Sequence, residues 1–451
     1  MMLRSLFLRN LVFPLASWRA ENGFSKQYRF LRASQWWTRE KLQAHQTQRL
    51  RALLEHAYEM VPFYREWLGD HGLRPSQFRE REQLDLLPVL SKQILREQPC
   101  DRLISLGSHP EDRIPYSTSG STGEPFRFLV SRWMNGSKIA RYLREMQTWG
   151  IEPGTPFLKV WGAGRVPAPG REKERDLFAR HLLRRAEELA FDLDPARADT
   201  LLRTLAQRRL RVLEAYTSTA VFLAKRAREQ GMLFPHLKSV VVSGETLTPE
   251  HEQFLCEAFS AKVINAYGSR EFGRVAFSCP EGGGLCLSME DFYAEYLDLD
   301  PPDPEGLKRL VLTCFSNEVQ PFIRYDTGDL VEPAGHQTHC GRRGLEVWKR
   351  VAGRLSERVT TPSGRHVSVH FFTLLLEDLQ EEVRQFQVVV DRPDNLVLLI
   401  VPGSRYSDRI GTDLAGRISD QVGPEMGVTV RLVAAIPFSG DGKRPLLRQA
   451  F

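Results

Sequence analysis

Cysteine is scarce in this chain, with six among 451 residues. That number makes no disulfide framework for a protein of this length, and a reducing cytoplasm is the expected setting. Long apolar runs are missing as well. The N-terminal stretch "MMLRSLFLRNLVFPLASWRAENGF" is interrupted by Arg4, Arg9 and Pro14. Its longest uncharged run, Asn10 to Trp18, falls well short of the ~20 apolar residues a spanning helix requires. No cleavage region of the secretory kind follows it. It reads as a packing arm, with a peripheral membrane contact as the alternative. A charge excess is also lacking, since 62 basic residues face 56 acidic ones for a net +6. Spread over a large surface, that balance gives no nucleic-acid stripe and at most favours an anionic small substrate. Internal repeats and low-complexity tracts are absent.

What is present is the profile of a globular protein, 42% hydrophobic and 26% charged, long enough for two or three domains. Residues 38–67 carry Leu42, Leu50, Leu53, Leu54, Ala57 and Tyr58 near helical spacing. "DLLPVLSKQILRE" marks a loop and a further helix start, and Ser137 to Gly150 continues as helix. From Glu172 to Gln230 the Arg/Leu-rich sequence predicts two or three amphipathic helices, with "RRAEEL" and "RTLAQRRLR" as their wet faces. Then strand and helix alternate: "LKSVVVSGE", a helix from Pro249 to Phe259, and "AKVINAYG". This βαβ order puts Gly244, Glu245, Tyr267, Gly268 and Glu271 at or just past strand ends, where open α/β sheets bind ligands. After the strand "KRLVLTCF" and the segment "QPFIRYDTGDL", the pattern changes near Gly353. A hairpin "FQVVVDRPDNLVLLIVP", a helix near Ser407 to Val422, a strand "GVTVRLVAAI" and a Gly-rich tail predict a small α+β domain.

The segment "YSTSGSTGEPF" cannot build a core. Its small residues let the backbone approach a ligand, and successive amides with Ser and Thr hydroxyls form an anion-binding concavity. A solvated surface loop is the plain alternative. A P-loop NTPase is excluded because Glu124 follows Gly123 where Lys is needed.

The order Thr-Ser-Gly-Ser-Thr-Gly-Glu-Pro resembles the phosphate loop of adenylate-forming enzymes, the acyl-CoA synthetases and their relatives. Four further motifs of that superfamily occur here in order: "NAYGSRE", "RYDTGDL", the junction Gly353–Arg354, and "SGDGKRPLLRQ" with Lys443. "HAYEMVPFYREWL", "YGSREFG", "PFIRYDTGDL" and the "CGR" at Cys340 resemble the phenylacetate–CoA ligase group and its capsule-biosynthesis cousins. The resemblance implies a large α/β N-terminal domain, 1–352, with a mainly helical lead-in over 1–100. A small mobile α+β C-terminal domain, 353–451, would carry the catalytic lysine. It implies ATP-dependent activation of a small carboxylic acid, aryl or otherwise, as an acyl-adenylate, followed by transfer to coenzyme A. The alternative acceptors are a carrier protein, an amine or a sugar hydroxyl, and an inactive family member is the remaining reading. Monomer and homodimer both fit.

By the same resemblance, Thr118, Ser119, Gly120, Ser121, Thr122 and Gly123 hold the β- and γ-phosphates. Glu271 binds Mg²⁺, Tyr267 packs on adenine beside Gly244, Glu245, Gly268 and Ser269, and Asp329 accepts from the ribose hydroxyls. Arg354 joins Asp329 at the ribose or phosphates, and Lys443 neutralises charge between carboxylate and α-phosphate. Two departures stand out: Ser356 where the family often has Asp at the hinge, and Arg270 where many members have Thr. Finally, Cys279 and Cys286 bracket a Gly-rich turn, and "HQTHC" brings His339 and Cys340 together; these thiols and imidazole suit a structural zinc or simple packing. Cys100, Cys256 and Cys314 are expected in the core.

Overall fold

The computed structural model describes residues 2–117, 126–161, 184–190, 193, 195–334, 344–354, 358–363, 366–368, 371–372, 375–376, 379, 381–436 and 446–450. Helices α1 (Met2–Phe7) and α2 (Phe13–Ala20) are joined without a break by a π-helical turn, Leu8–Val12. Next come α3 (Phe24–Ser34), α4 (Arg39–Met60), α5 (Pro62–Asp70), α6 (Lys92–Glu97) and α7 (Arg132–Thr148). Helices α8 (Pro195–Gln207), α9 (Thr217–Glu229), α10 (Pro249–Phe259) and α11 (Asp408–Val422) complete the helical elements used here.

The helix expected over 38–67 is two helices. Val61 is extended, at φ −118° and ψ 110°, because Pro62 restricts the residue before it. Pro62 itself then opens α5, where its missing N–H costs nothing. Other helix starts follow side-chain caps: Ser91 accepts from the Ile94 amide, Ser131 from Met134, and Thr248 from His251.

Strands β1 (Arg113–Ser117) and β2 (Arg127–Ser131) form a hairpin of their own. The main sheet uses β3 (Phe157–Trp161), β4 (Arg185–Leu189), β5 (Val212–Ala215), β6 (Ser239–Ser243), β7 (Lys262–Ser269) and β8 (Gly273–Ser278). It continues through β9 (Leu285–Leu287), β10 (Phe292–Leu297), β11 (Lys308–Cys314), β12 (Phe322–Pro333) and β13 (Val347–Arg354). Among the described residues it has 11 strands in the order β10-β11-β12-β13-β9-β8-β7-β6-β5-β3-β4. The run β4-β3-β5-β6-β7 is parallel, and every pairing from β7 through β8 to β10 is antiparallel.

Two of those parallel strands correct the expectation of an all-helical stretch between Glu172 and Gln230. "RAEEL" is β4, not the wet face of a helix, and β5 lies just beyond "RTLAQRRLR". Their charged residues hid them. Glu214 is buried in the middle of β5, with Lys159 and Arg274 beside it. Helices α8, α9 and α10 pack an apolar core on one face of this half through Leu202, Leu223 and Leu255 against Leu213 and Val240. On the other half, Leu53, Leu54 and Tyr64 from α4 and α5 join Phe272, Leu312 and Trp348.

The C-terminal part has its own elements: β14 (Arg358–Thr360), β15 (His366–Ser368), β16 (Val383–Arg392), β17 (Asn395–Pro402), β18 (Gly427–Leu432) and β19 (Leu447–Gln449). The last four form a sheet in the order β18-β17-β16-β19, and Leu414 and Ile418 of α11 pack on its Val388, Leu398 and Ile400. The expected hairpin is β16–β17, closed at Arg392 and Asn395.

Candidate active site

The parallel half of the sheet ends where the antiparallel half begins, at the β7–β8 hairpin. Gly268 makes that turn possible. A Cβ there would lie 2.2 Å from the Gly273 carbonyl oxygen. Ser269 Oγ accepts from the Phe272 amide at 3.3 Å and stiffens the tip that carries Glu271. The Glu271 carboxylate is buried, accepts from the Tyr325 hydroxyl at 3.1 Å, and lies 4.0 Å from Lys92 Nζ.

The Tyr-x-Thr-Gly-Asp motif lies in β12, beyond β9 and β13 in the sheet order, and combines strand pairing with a local turn. Asp326 Oδ1 accepts from the Gly328 amide, and Thr327 Oγ1 from the Asp329 amide. Gly328 takes φ +73°, which a side chain would resist. The outcome is that Asp329 stands directly opposite Arg354 in the β12–β13 register. Asp329 Oδ1 is 3.4 Å from Arg354 Nε, and its Oδ2 accepts from the Tyr267 hydroxyl at 2.5 Å. Burial and then the Asp329 charge push the Tyr267 hydroxyl well above its ordinary value, so it stays protonated and donates. Tyr267 is held in place edge-on to Trp348, with ring centroids 5.5 Å apart.

Gly244 and Glu245 follow β6, whose Ser243 pairs with Ala266 next to Tyr267. Gly244 has φ +83°, and a Cβ on it would meet the Tyr216 ring at 3.0 Å. The Glu245 carboxylate is engaged by the Ser218 amide at 2.7 Å and its hydroxyl at 3.0 Å, so it caps the start of α9.

No family model matches the sequence. The chain is 27% identical over 442 residues to the phenylacetate-coenzyme A ligase of Thermus thermophilus, covering 90% of this chain and 96% of that one. The Escherichia coli K12 phenylacetate-coenzyme A ligase is 26% identical over 364 residues, 77% of each chain. Among solved structures, a 2-hydroxyisobutyryl-CoA ligase in the postadenylation state, in complex with 2-HIB-AMP, superposes with TM-score 0.69. It shares 22% identity and covers 89% of this chain and 88% of its own. The chain is thus similar over most of its length to phenylacetate-coenzyme A ligases and shares its fold with the 2-hydroxyisobutyryl-CoA ligase.

Within this fold, Tyr267, Glu271, Asp329 and Arg354 come together as neighbours, although they are spread over almost ninety residues. Thr118, Ser119, Gly120, Ser121, Thr122 and Gly123 lie outside the described residues, as do His339, Cys340, Ser356 and Lys443. The flanks of the phosphate-loop segment are described: Ser117 is the register partner of Arg127, and the Phe126 ring lies 5.7 Å from Lys92 Nζ.

Lys92 was not legible as a neighbour of Glu271, because "DLLPVLSKQILRE", which holds it, reads only as a loop and a helix start and is none of the superfamily motifs. Its position comes from the Ser91 cap of α6, which turns the following side chain towards Glu271. Burial pulls its ammonium below the ordinary value while the Glu271 charge opposes that shift. A second missed pair is Trp161 and Tyr216, stacked at 4.2 Å and 24° at the ends of β3 and β5. The parallel register carries Val160 to Ala215, Ala215 to Val242 and Ser243 to Ala266, so this stack lies level with Ala266, the residue before Tyr267. At ~4.8 Å between strands, Tyr216 is roughly 10 Å from the Tyr267 position.

Cys279 and Cys286 are buried on the β8–β9 connection and on β9. Among the described residues no group of three or more His, Cys, Asp or Glu could hold a metal ion. Of the cysteines expected in the core, Cys314 is buried, but Cys100 is exposed and Cys256 only half-buried.

Proposed function

We propose that this chain activates a carboxylic acid with ATP and passes it to coenzyme A. A carboxylate is a poor electrophile because its leaving group would be oxide. Attack of its oxygen on the α-phosphate makes an acyl-adenylate and releases pyrophosphate. The thiolate then attacks the acyl carbon, and AMP leaves with the electron pair of the broken bond.

The observation that carries this reading is the Asp329–Arg354 pair, held opposite each other with Tyr267 on the same carboxylate. An ionised carboxylate accepts two hydroxyl donors, which suits the ribose diol, and Arg354 is the nearby cation for a phosphate. Lys92, at the exit of the phosphate-loop segment, supplies a further cation where Thr118–Gly123 would hold the β- and γ-phosphates. Glu271 offers one buried carboxylate, which fits Mg²⁺, an ion held largely through substrate phosphates. Bound there, the ion would neutralise phosphate charge as pyrophosphate departs. The Trp161–Tyr216 stack, at the strand ends level with Ala266, supports a flat apolar wall for an aryl or other small acid.

Residues 353–451 act in this scheme as a small mobile domain that brings Lys443 to the carboxylate and α-phosphate. That assignment rests on the motif around Lys443. The test of the nucleotide site is Asp329→Ala, measured by calorimetric ATP binding. Affinity is expected to fall on the order of tenfold or more, the worth of one charged hydrogen bond. Unchanged affinity would remove Asp329 from the ribose site.

A further inference from the structure

The net charge of +6 is not spread evenly. Residues 1–38 hold Arg4, Arg9, Arg19, Lys26, Arg29 and Arg32 against a single acid, Glu21. Almost the entire excess of the chain is therefore carried by its first three helices. The same segment holds the largest run of exposed apolar side chains. Leu3, Phe7, Leu11, Leu15 and Trp18 are 82%, 49%, 58%, 54% and 76% exposed.

Their spacing places them on one side. Four residues exceed one α-helical turn, so a pure α-helix would rotate each successive residue away by about 40°. The π-helical turn Leu8–Val12 has more residues per turn and reduces that drift. The opposite side is packed down: Leu8 and Phe13 join Phe24, Tyr28 and Leu31, Ser5 Oγ donates to Glu152, and Arg9 pairs with Glu152 at 3.5 Å. The helix is thus anchored by one face and presents an apolar ridge about 22 Å long on the other. Met2–Ala20 contains no acidic residue. No helix of the described residues is long and apolar enough to cross a membrane.

We propose that this ridge seats the protein on an anionic phospholipid surface, the helix lying in the plane of the interface. Apolar side chains entering the acyl boundary, an indole at the end of the ridge, and cations on the flanks are the components of such a contact. Charge decides between lipid and a second copy of the chain. Laying two copies ridge to ridge would set the same cluster of cations against itself, whereas anionic headgroups neutralise it. Lys26, Arg29 and Arg32 are all exposed on α3, which packs next to α2. The contact would bring acid activation to a surface where apolar acids partition.

The experiment is co-sedimentation of the full chain with phosphatidylcholine vesicles, with and without about 30% phosphatidylglycerol. Wild type is expected to sediment with the anionic vesicles and to be released as salt rises from about 0.1 M to about 1 M, which shortens the screening length from about 10 Å to about 3 Å. Leu11→Glu with Leu15→Glu should cut binding at least about tenfold, while thermal midpoint and pyrophosphate exchange stay unchanged, since both side chains face solvent. Lys26→Glu with Arg29→Glu should abolish the preference for anionic lipid. Wild type that binds neither vesicle, or a Leu11/Leu15 variant that binds like wild type, overturns the proposal. So does light scattering that finds a dimer broken by the Leu11/Leu15 variant, with no lipid binding; the ridge is then a contact between copies.

Discussion

At the scale of single residues, the candidate site depends on charges whose neighbours fix their state. Glu271 and Asp329 are both buried, and each accepts from a tyrosine hydroxyl that burial keeps protonated, Tyr325 and Tyr267. Each also has one cation within reach, Lys92 and Arg354. Lys92 is the sharper test, since its ammonium is drawn towards Glu271 against the cost of burial. Lys92→Met keeps an unbranched side chain of similar length next to Phe126 and removes the charge. Steady-state kinetics should record kcat/KM for ATP falling by about 10- to 100-fold, the worth of one charge-assisted contact. A variant with wild-type kinetics would place Lys92 outside the phosphate site. Tyr267, Glu271, Asp329 and Arg354 were legible beforehand because each sits in a short motif with fixed neighbours. Lys92 was not, because a lysine at a helix start is ordinary until folding brings Glu271 beside it.

At the scale of elements, the β7–β8 hairpin is the piece on which the site turns, and Gly268 is its weak point. In most strands a Gly→Ala exchange is mild. Here the added methyl meets the Gly273 carbonyl at 2.2 Å, and neither backbone can yield without opening the register around Arg274. Gly268→Ala should cost about 1–3 kcal/mol, read by denaturant unfolding, and should lower adenylation activity as Glu271 shifts. A fully stable, fully active variant would refute the close packing of this turn. Elements with clean periodicity or a cap were readable from sequence, as with α10, α11 and the β16–β17 hairpin. Strands β4 and β5 were misread as helix. Their Arg185, Glu187 and Glu214 look like a wet surface, yet Glu214 is buried against cations contributed by three other strands. The break at Val61–Pro62 was in view, but helical spacing on both sides of it masked the stop.

At the scale of the whole molecule, that buried charge cluster links stability to pH. Burial pushes Glu145 up from 4.5 to about 7, only partly offset by Arg274 at 3.6 Å, with Arg144 and Lys159 nearby and Glu214 opposing them. Burial also raises Glu214, but Lys159, Arg274 and Arg185 outweigh it and bring it to about 2. Since the folded value of Glu145 lies above its unfolded one, its favourable contribution is present below pH 4.5 and is lost as pH rises through about 7. Glu145→Gln removes that loss. Relative to wild type, the variant should gain on the order of 3 kcal/mol between those two pH values. Unfolding curves across that range check it, and a pH-independent difference would contradict it.

The central claim concerns what the assembled site does to ATP. Its most direct test is the nucleotide product formed with a panel of aryl, fatty and amino acids, in the presence and absence of coenzyme A. The account predicts pyrophosphate exchange that depends on one class of acid, and AMP with an acyl thioester once coenzyme A is added. Lys443→Ala should remove most of the exchange while ATP still binds. Formation of ADP and phosphate, or exchange that ignores every acid offered, would contradict it.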